Sequence, residues 1–402
     1  MKSNLCCMVA CLAMLACSPG RETGNWNPEI KVQSSPAGSP SAEPHLFTDS
    51  SGIVFLSWVE KRGDSAWLKY STVEGDRWST PRVIAQGNTW FVNWADYPMV
   101  TSNGKGSLMA HVLGKSGKGT YAYDVKMYTS VDDGSNWSVP FILHDDGKQA
   151  EHGFVTMIPY GDQVFVTWLD GRNTAMEGME GMDHDGHHGS MSLRAAVIGY
   201  DGVKTEEWEL DDKTCDCCQT TAAITDSGPV VIYRDRTDEE IRDMSIVRLV
   251  DGSWTKPMPI HNDNWKIGGC PVNGPRVASA GNQLVVAWFS AANDTSQVLV
   301  AFSGDGGATF GKPIRVDEGN AIGRVDVVLL EKGEAVVSWM EGVMIKAARV
   351  YADGRESPSI TIASSSESRS SGFPQMTRAG DTLIVAWTDD QAKQIKIARV
   401  SL

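Results

Sequence analysis

Two segments concentrate the residues with the strongest chemical bias. Cys215-Asp216-Cys217-Cys218, joined later in the chain by Cys270, supplies four thiols; in an extended segment Cys215 and Cys217 share one side and Cys218 points the other way. Residues 175–191, AMEGMEGMDHDGHHGSM, hold Met176, Met179, Met182, His184, His187, His188 and Met191 with no Lys or Arg. Thiolates, thioethers and imidazoles are soft-to-borderline ligands; the mixture suits copper, and the imidazoles also suit zinc. Two other readings stand beside metal binding. A pair such as Cys218 and Cys270 could close as a disulfide in an exported protein. The Met/His run could equally be a solvated insertion with no ordered ligand set.

A second set is made of carboxylates and arginines. Asp96, Glu151, Asp170 and Asp235 could supply paired carboxyls for glycoside chemistry. Arg172, Arg234, Arg236, Arg276 and Arg324 could hold an anion through their guanidinium forks, or pair with nearby acids, which is the expectation for Arg234 and Arg236. His45 and His152 are further ligand or acid–base candidates.

The 402 residues carry 36 Lys+Arg against 50 Asp+Glu, a formal charge of −14, with no basic stripe, which argues against nucleic acid as a partner. Apolar residues make up 41% and recur along the chain, which excludes wholesale disorder. The first residues stand apart. Met1-Lys2, an apolar run from Leu5 to Ala16, and Met14-Leu15-Ala16-Cys17 resemble a bacterial lipoprotein signal, with 1–16 removed and Cys17 lipidated. An ordinary secretory signal is the alternative. Either places the protein in the cell envelope or outside it, and loss of Lys2 brings the charge to −15.

The elements that position these residues come from a repeat. A turn, a short apolar run and an aromatic or His recur at Trp58, His111, Trp168, Tyr233, Trp288, Trp339 and Trp387, spaced 48 to 65 residues apart. Such short runs bounded by turn residues read as buried strands. Each is preceded by another strand and, in most copies, followed by two more; the last begins near an aromatic and a Pro, as in Trp78…Pro81, Trp137…Pro140, Trp254…Pro257 and Phe310…Pro313. Seven four-stranded units repeated radially make an all-β propeller, with six blades as the alternative count. The last unit lacks its fourth strand, and Trp26–Val32 repeats the missing pattern, so the N-terminal segment is expected to complete it. The organisation is then a signal (1–16), an anchor, closing strand and linker (17–42), and the propeller (43–402). The acidic residue two positions after the repeated aromatic, in Glu60, Asp170, Asp235, Glu341 and Asp389, reads as structural in most blades.

Ser130-Val131-Asp132-Asp133-Gly134-Ser135-Asn136-Trp137 resembles an Asp-box of sialidase-like propellers, and Ser303-Gly304-Asp305-Gly306-Gly307-Ala308-Thr309-Phe310 is a second copy. Segments 74–78 and 251–254 look like decayed copies. The resemblance covers the whole mature chain and implies the propeller fold. It implies a glycosidase less firmly: the Arg-Ile-Pro of sialidases is missing, Glu43-Pro44-His45-Leu46 stands in blade 1, and the closing blades offer no matching Tyr.

In such a blade the loops leading into the first strand and the loops between strands two and three share one face, and the Asp-boxes lie on the other. The Cys run, Cys270 and the Met/His run therefore meet at one mouth, on neighbouring blades. The expected function is an exported, lipid-anchored binding protein with a copper (or zinc) site formed by Cys215, Cys217, Cys218, Cys270 and Met176, Met179, Met182, His184, His187 and His188. The alternatives are a sialidase-like enzyme or glycan-binding protein using Asp96, Glu151 and Arg172, and a scaffold for protein docking.

Overall fold

Each repeat becomes one antiparallel sheet, and there are seven. The computed structural model describes residues 26–402 except 76, 175–188 and 332; the expected lipoprotein signal, residues 1–16, and Cys17 lie outside them. The first strands are Ser41–Thr48, Val100–Ser102, His152–Tyr160, Thr221–Thr225, Arg276–Ala280, Ala321–Leu329 and Gln375–Ala379. The second strands are Val54–Arg62, Leu108–Lys115, Gln163–Asp170, Gly228–Arg234, Gln283–Ser290, Glu334–Glu341 and Thr382–Asp389. Every repeated aromatic or His lies on a second strand. That strand is covered on both faces by neighbouring blades, which is why its apolar run is continuous rather than alternating. Among the described residues no helix is long and apolar enough to cross a membrane.

The ring closes as the repeat pattern predicts. Ile30–Gln33 pairs antiparallel with Gln394–Ser401, Ile30 opposite Val400, and so completes blade 7. Trp26 adds a hydrogen bond from its indole to the Ser401 carbonyl, while the strand itself starts at Ile30. Leu46, Leu56 and Trp58 of blade 1 pack with Ile384, Ile395 and Ile397 of blade 7, so the closure is apolar as well as hydrogen-bonded. The first strand of blade 1 begins at Ser41, two residues before the expected boundary.

The turns on the face away from the mouth follow their chemistry. In both Asp-boxes the carboxylate accepts the backbone N–H four residues on, Asn136 N–H to Asp132 and Thr309 N–H to Asp305, each at 2.9 Å. The Gly134 and Gly307 N–H groups bond back to Ser130 and Ser303. Gly134 has φ +73 and its absent side chain makes room for the Tyr70 hydroxyl. The copy at 251–254 has become a tight hairpin instead: Asp251 and Gly252 both have positive φ, and Val250 pairs with Ser253. In blades 2 and 5 the outer strand begins after the Pro rather than at the aromatic, as Phe141–Ile142 and Ile314–Arg315, whereas in blades 1 and 4 a two-residue strand holds the aromatic, as Arg77–Trp78 and Ser253–Trp254, and a second follows the Pro.

The acid two positions after the aromatic has a clear task. Glu60, Asp170 and Glu341 accept the indole N–H of Trp58, Trp168 and Trp339 at 2.9, 2.9 and 3.0 Å. In blade 5, where Ser290 holds that position, Asp263 accepts from Trp288 instead. A buried indole N–H left unpaired would cost about 1–3 kcal/mol.

Candidate metal and ligand site at the propeller mouth

The backbone is least regular where the chain enters the first strands. Register shifts occur there in blades 1, 3 and 6, and Glu43, Phe154 and Arg324 take φ of 60, 53 and 55. Bulges of this kind re-aim side chains, and left-handed non-glycine residues are costly enough to need support. The support comes from the neighbouring blade. Asp96 Oδ1 accepts the Phe154 N–H at 2.8 Å, Gln219 Oε1 accepts Gly274 N–H at 3.0 Å, Asn273 Oδ1 accepts Arg324 N–H at 2.8 Å, and Asp326 Oδ2 accepts Met376 N–H at 2.6 Å. At four of the seven boundaries one polar side chain thus clamps the next blade and helps fix the mouth.

The thiols come together on this frame. The Sγ atoms of Cys215, Cys217 and Cys218 lie within 4.8 Å of one another. Cys215 and Cys218 are buried with their sulfurs 3.7 Å apart, Cys217 is half-buried, Cys270 is exposed, and all four are free. Cys270 is a neighbour of Cys217 across the boundary between blades 4 and 5. Hydrogen bonds from Cys217 and Cys218, with Arg234 and Arg242 close by, hold Cys215 well below the ordinary thiol range in spite of burial. Burial pushes Cys218 up to about 12. The Asn273 N–H also reaches Cys218, at 3.4 Å.

An arginine cage backs the cluster. Arg242 Nη1 stands 3.3 Å from Cys215 Sγ, and its Nη2 bonds to Glu240. Arg236 pairs with Asp216 and Glu240, not with the acids that follow the repeated aromatics. Arg234 departs further from expectation: it is fully buried, donates to the carbonyls of Arg242, Asn273 and Phe289, and lies over Trp265. Arg324 is likewise engaged by Ser371 and the carbonyls of Glu367, Ser368 and Gly372. Arg276 sits over Tyr97 with Asp326 at 3.9 Å.

Met176, Met179, Met182, His184, His187 and His188 lie outside the described residues. The chain around them is placed: Met191 is buried, and its carbonyl accepts the N–H of Thr214, the residue before Cys215, at 2.9 Å.

The carboxyl candidates occupy blades 2 and 3. Burial pushes Asp96 to about 7, and its Oδ2 has no hydrogen-bond partner. Burial likewise raises Glu151 to about 8, against the hydrogen bond from the Tyr123 hydroxyl at 2.6 Å; Asp96, Asp216 and Cys270 add to the rise. Glu151 thus stands between the carboxyl side and the thiol side of the mouth. Arg172 is not free to join them: it forms a two-pronged pair with Asp170 at 2.9 and 2.8 Å.

The histidines sort differently. His111 is buried, and burial drives it down to about 3. His45 falls to about 3 through burial and the charge of Arg276. His152 lies in the wall between blades 2 and 3, bonded to Asp146 at 3.0 Å and to the Tyr123 carbonyl at 3.2 Å. Its ring stacks on His144 at 3.5 Å and 3°. Although Asp124, His144 and His152 are close enough to suggest a second metal centre, imidazoles bind metals in the ring plane, and parallel rings this far apart cannot both aim a lone pair at one ion. Asp146, hydrogen-bonded by both rings, makes this a buried polar network instead.

Sequence reasoning missed Arg242 and Tyr123, which touch the thiolate and Glu151. Only the repeated arginines in Arg234-Asp235-Arg236 and Arg242 hinted at the first; nothing local marked the second.

No family model and no curated protein matches the chain. Among solved structures it is similar to a protein of unknown function from Dyadobacter fermentans, at 13% identity and TM-score 0.51 over 90% of this chain and 94% of that one. It is also similar to an ulvan lyase, a polysaccharide lyase, at 11% identity and TM-score 0.51 over 80% of each. The NanB sialidase of Streptococcus pneumoniae aligns at 13% identity over 95% of this chain and 69% of that one, with TM-score 0.41, too distant to carry an argument. The chain is a seven-bladed β-propeller in fold. Its seven sheets and its Asp-boxes establish the architecture and leave the chemistry to the mouth.

Proposed function

We propose that this propeller is an exported, lipid-anchored protein that binds a soft metal ion at its mouth, copper before zinc. The observation that carries the reading is the cluster of Cys215, Cys217 and Cys218, three free thiols with sulfurs within 4.8 Å. Thiolates suit monovalent copper as well as zinc, and the ligand group is made of three sulfurs. Arg234 and Arg242 offset the negative charge that three thiolates would add to a site of low exposure. Met191, the last residue of the Met/His run, is hydrogen-bonded to the residue before Cys215. The test is metal analysis by mass spectrometry, with a free-thiol count, on full-length protein purified reduced and unstripped. Near-stoichiometric copper, lost in Cys215→Ser and Cys217→Ser, is expected; metal at background would sink the reading.

A glycan-active mouth is the second reading, favoured by the unpartnered Oδ2 of Asp96 and by the proton that burial keeps on Glu151. Its test is turnover of sialosides, other glycosides and acidic polysaccharides. Activity abolished by Glu151→Gln would support it, and silence across the panel would end it.

A further inference from the structure

The four thiols are graded by depth. Cys270 is exposed, Cys217 is half-buried, and Cys215 and Cys218 are buried at 1% and 2% exposure. They are also in sequence of contact. Cys270 neighbours Cys217 across the blade boundary, the sulfurs of Cys217, Cys215 and Cys218 lie within 4.8 Å of one another, and the buried pair stands at 3.7 Å with the Cys-x-x-Cys spacing. A metal site needs the sulfurs to converge, as three of them do, but it does not need a fourth at the surface beside them.

We propose that these thiols form an exchange relay that reduces small aliphatic disulfides. The thiolate of Cys270 attacks one sulfur of a disulfide R–S–S–R; a Cys270–S–S–R bond forms and RS⁻ leaves. Cys217 then attacks Cys270 Sγ, releasing the second RS⁻ and leaving a Cys217–Cys270 disulfide between blades 4 and 5. The two thiol protons end on the two RSH molecules, and two electrons have passed from the protein to the substrate. Cys215 next attacks Cys217 Sγ and frees Cys270. Cys218 attacks Cys215 Sγ and frees Cys217, which leaves Cys215–Cys218 as the disulfide. These inner steps are exchanges with no net oxidation. They restore the outer pair of thiols for a second substrate disulfide. Arg242, 3.3 Å from Cys215 Sγ, stabilises the thiolate that carries the charge inward. Each step needs sulfurs in contact to close to a bond length of about 2.05 Å.

The relay uses the sulfurs of the proposed metal site without resting on it. It is tested with a chelator present throughout. Reduced full-length protein is mixed with glutathione disulfide, released glutathione is followed with time, and the final linkages are mapped by peptide mass spectrometry. The wild type is expected to retain no glutathione and to end with Cys215–Cys218 and Cys217–Cys270 linkages. Cys217→Ser should stall as a stable glutathione adduct on Cys270. Cys270→Ser, a change at an exposed position, should slow glutathione release at least about tenfold. Release at the wild-type rate from Cys270→Ser, or the lack of a Cys270 adduct in Cys217→Ser, would overturn the relay. Copper binding by the reduced protein would survive that result, and a relay that works would survive a failure to bind copper.

Discussion

Asp96 shows how one side chain at the mouth can hold two tasks. Its Oδ1 clamps blade 3 through the Phe154 N–H, and its Oδ2 is left without a partner. Burial holds it at about 7 against an ordinary 3.8, so the folded protein keeps a proton that the unfolded chain loses. The stability tied to that proton is complete below about pH 4 and is lost as the pH rises through about 7. Asp96→Asn keeps an oxygen for Phe154 and cannot ionise. Measured against the wild type by urea unfolding, the variant should gain relative stability between about pH 4 and about pH 7; a difference that does not change with pH would place Asp96 in a wetter environment. Asp170 offers a sharper loss. Fully buried, it holds both Trp168 and Arg172, and Asp170→Ala should cost roughly 3–5 kcal/mol in the same assay. The thiols were legible because Cys is rare and its spacing is visible in one line of sequence. Arg242 and Tyr123 were not, since each reaches its partner from another strand or the far arm of a loop. His152 looked like a mouth residue because its segment leads there, yet its ring turns between blades.

At the scale of the element, the second strands announced themselves. Packed on both sides, they must be apolar throughout, and their aromatics mark the repeat. The outer strands did not, because pairs as short as Phe141–Ile142 carry no period that a pattern could find. The closing strand was readable only through its likeness to the outer segments of other blades. Its contribution can be measured. Removing residues 26–33 deletes the ladder to Gln394–Ser401 and the Trp26 bond, and leaves an open sheet edge. A loss of roughly 3–5 kcal/mol is expected by denaturant unfolding, together with concentration-dependent association through the bare edge. Unchanged stability would mean that blade 7 is complete without it.

For the molecule as a whole, the ring gives the mouth a rigid rim while the chemistry rests on a few loops. That is why fold likeness to lyases says little about what this mouth does. Attachment to the membrane is a matter of the whole chain and can be checked directly: Cys17→Ala should move the protein from the membrane fraction to the soluble fraction of the cell envelope, and no change would refute lipidation. The closing strand then acquires a further meaning. Strand directions alternate across a blade, so an outermost strand runs from the Asp-box face towards the mouth. Trp26, beside Ser401, therefore marks the Asp-box face as the side from which the chain arrives. The eight residues between Cys17 and Trp26 reach at most about 30 Å. A lipid on Cys17 would hold the protein by so short a leash that its back would face the bilayer. The thiols would then look outward, towards whatever diffuses past, and any membrane-embedded donor or acceptor would have to reach around the rim to meet them.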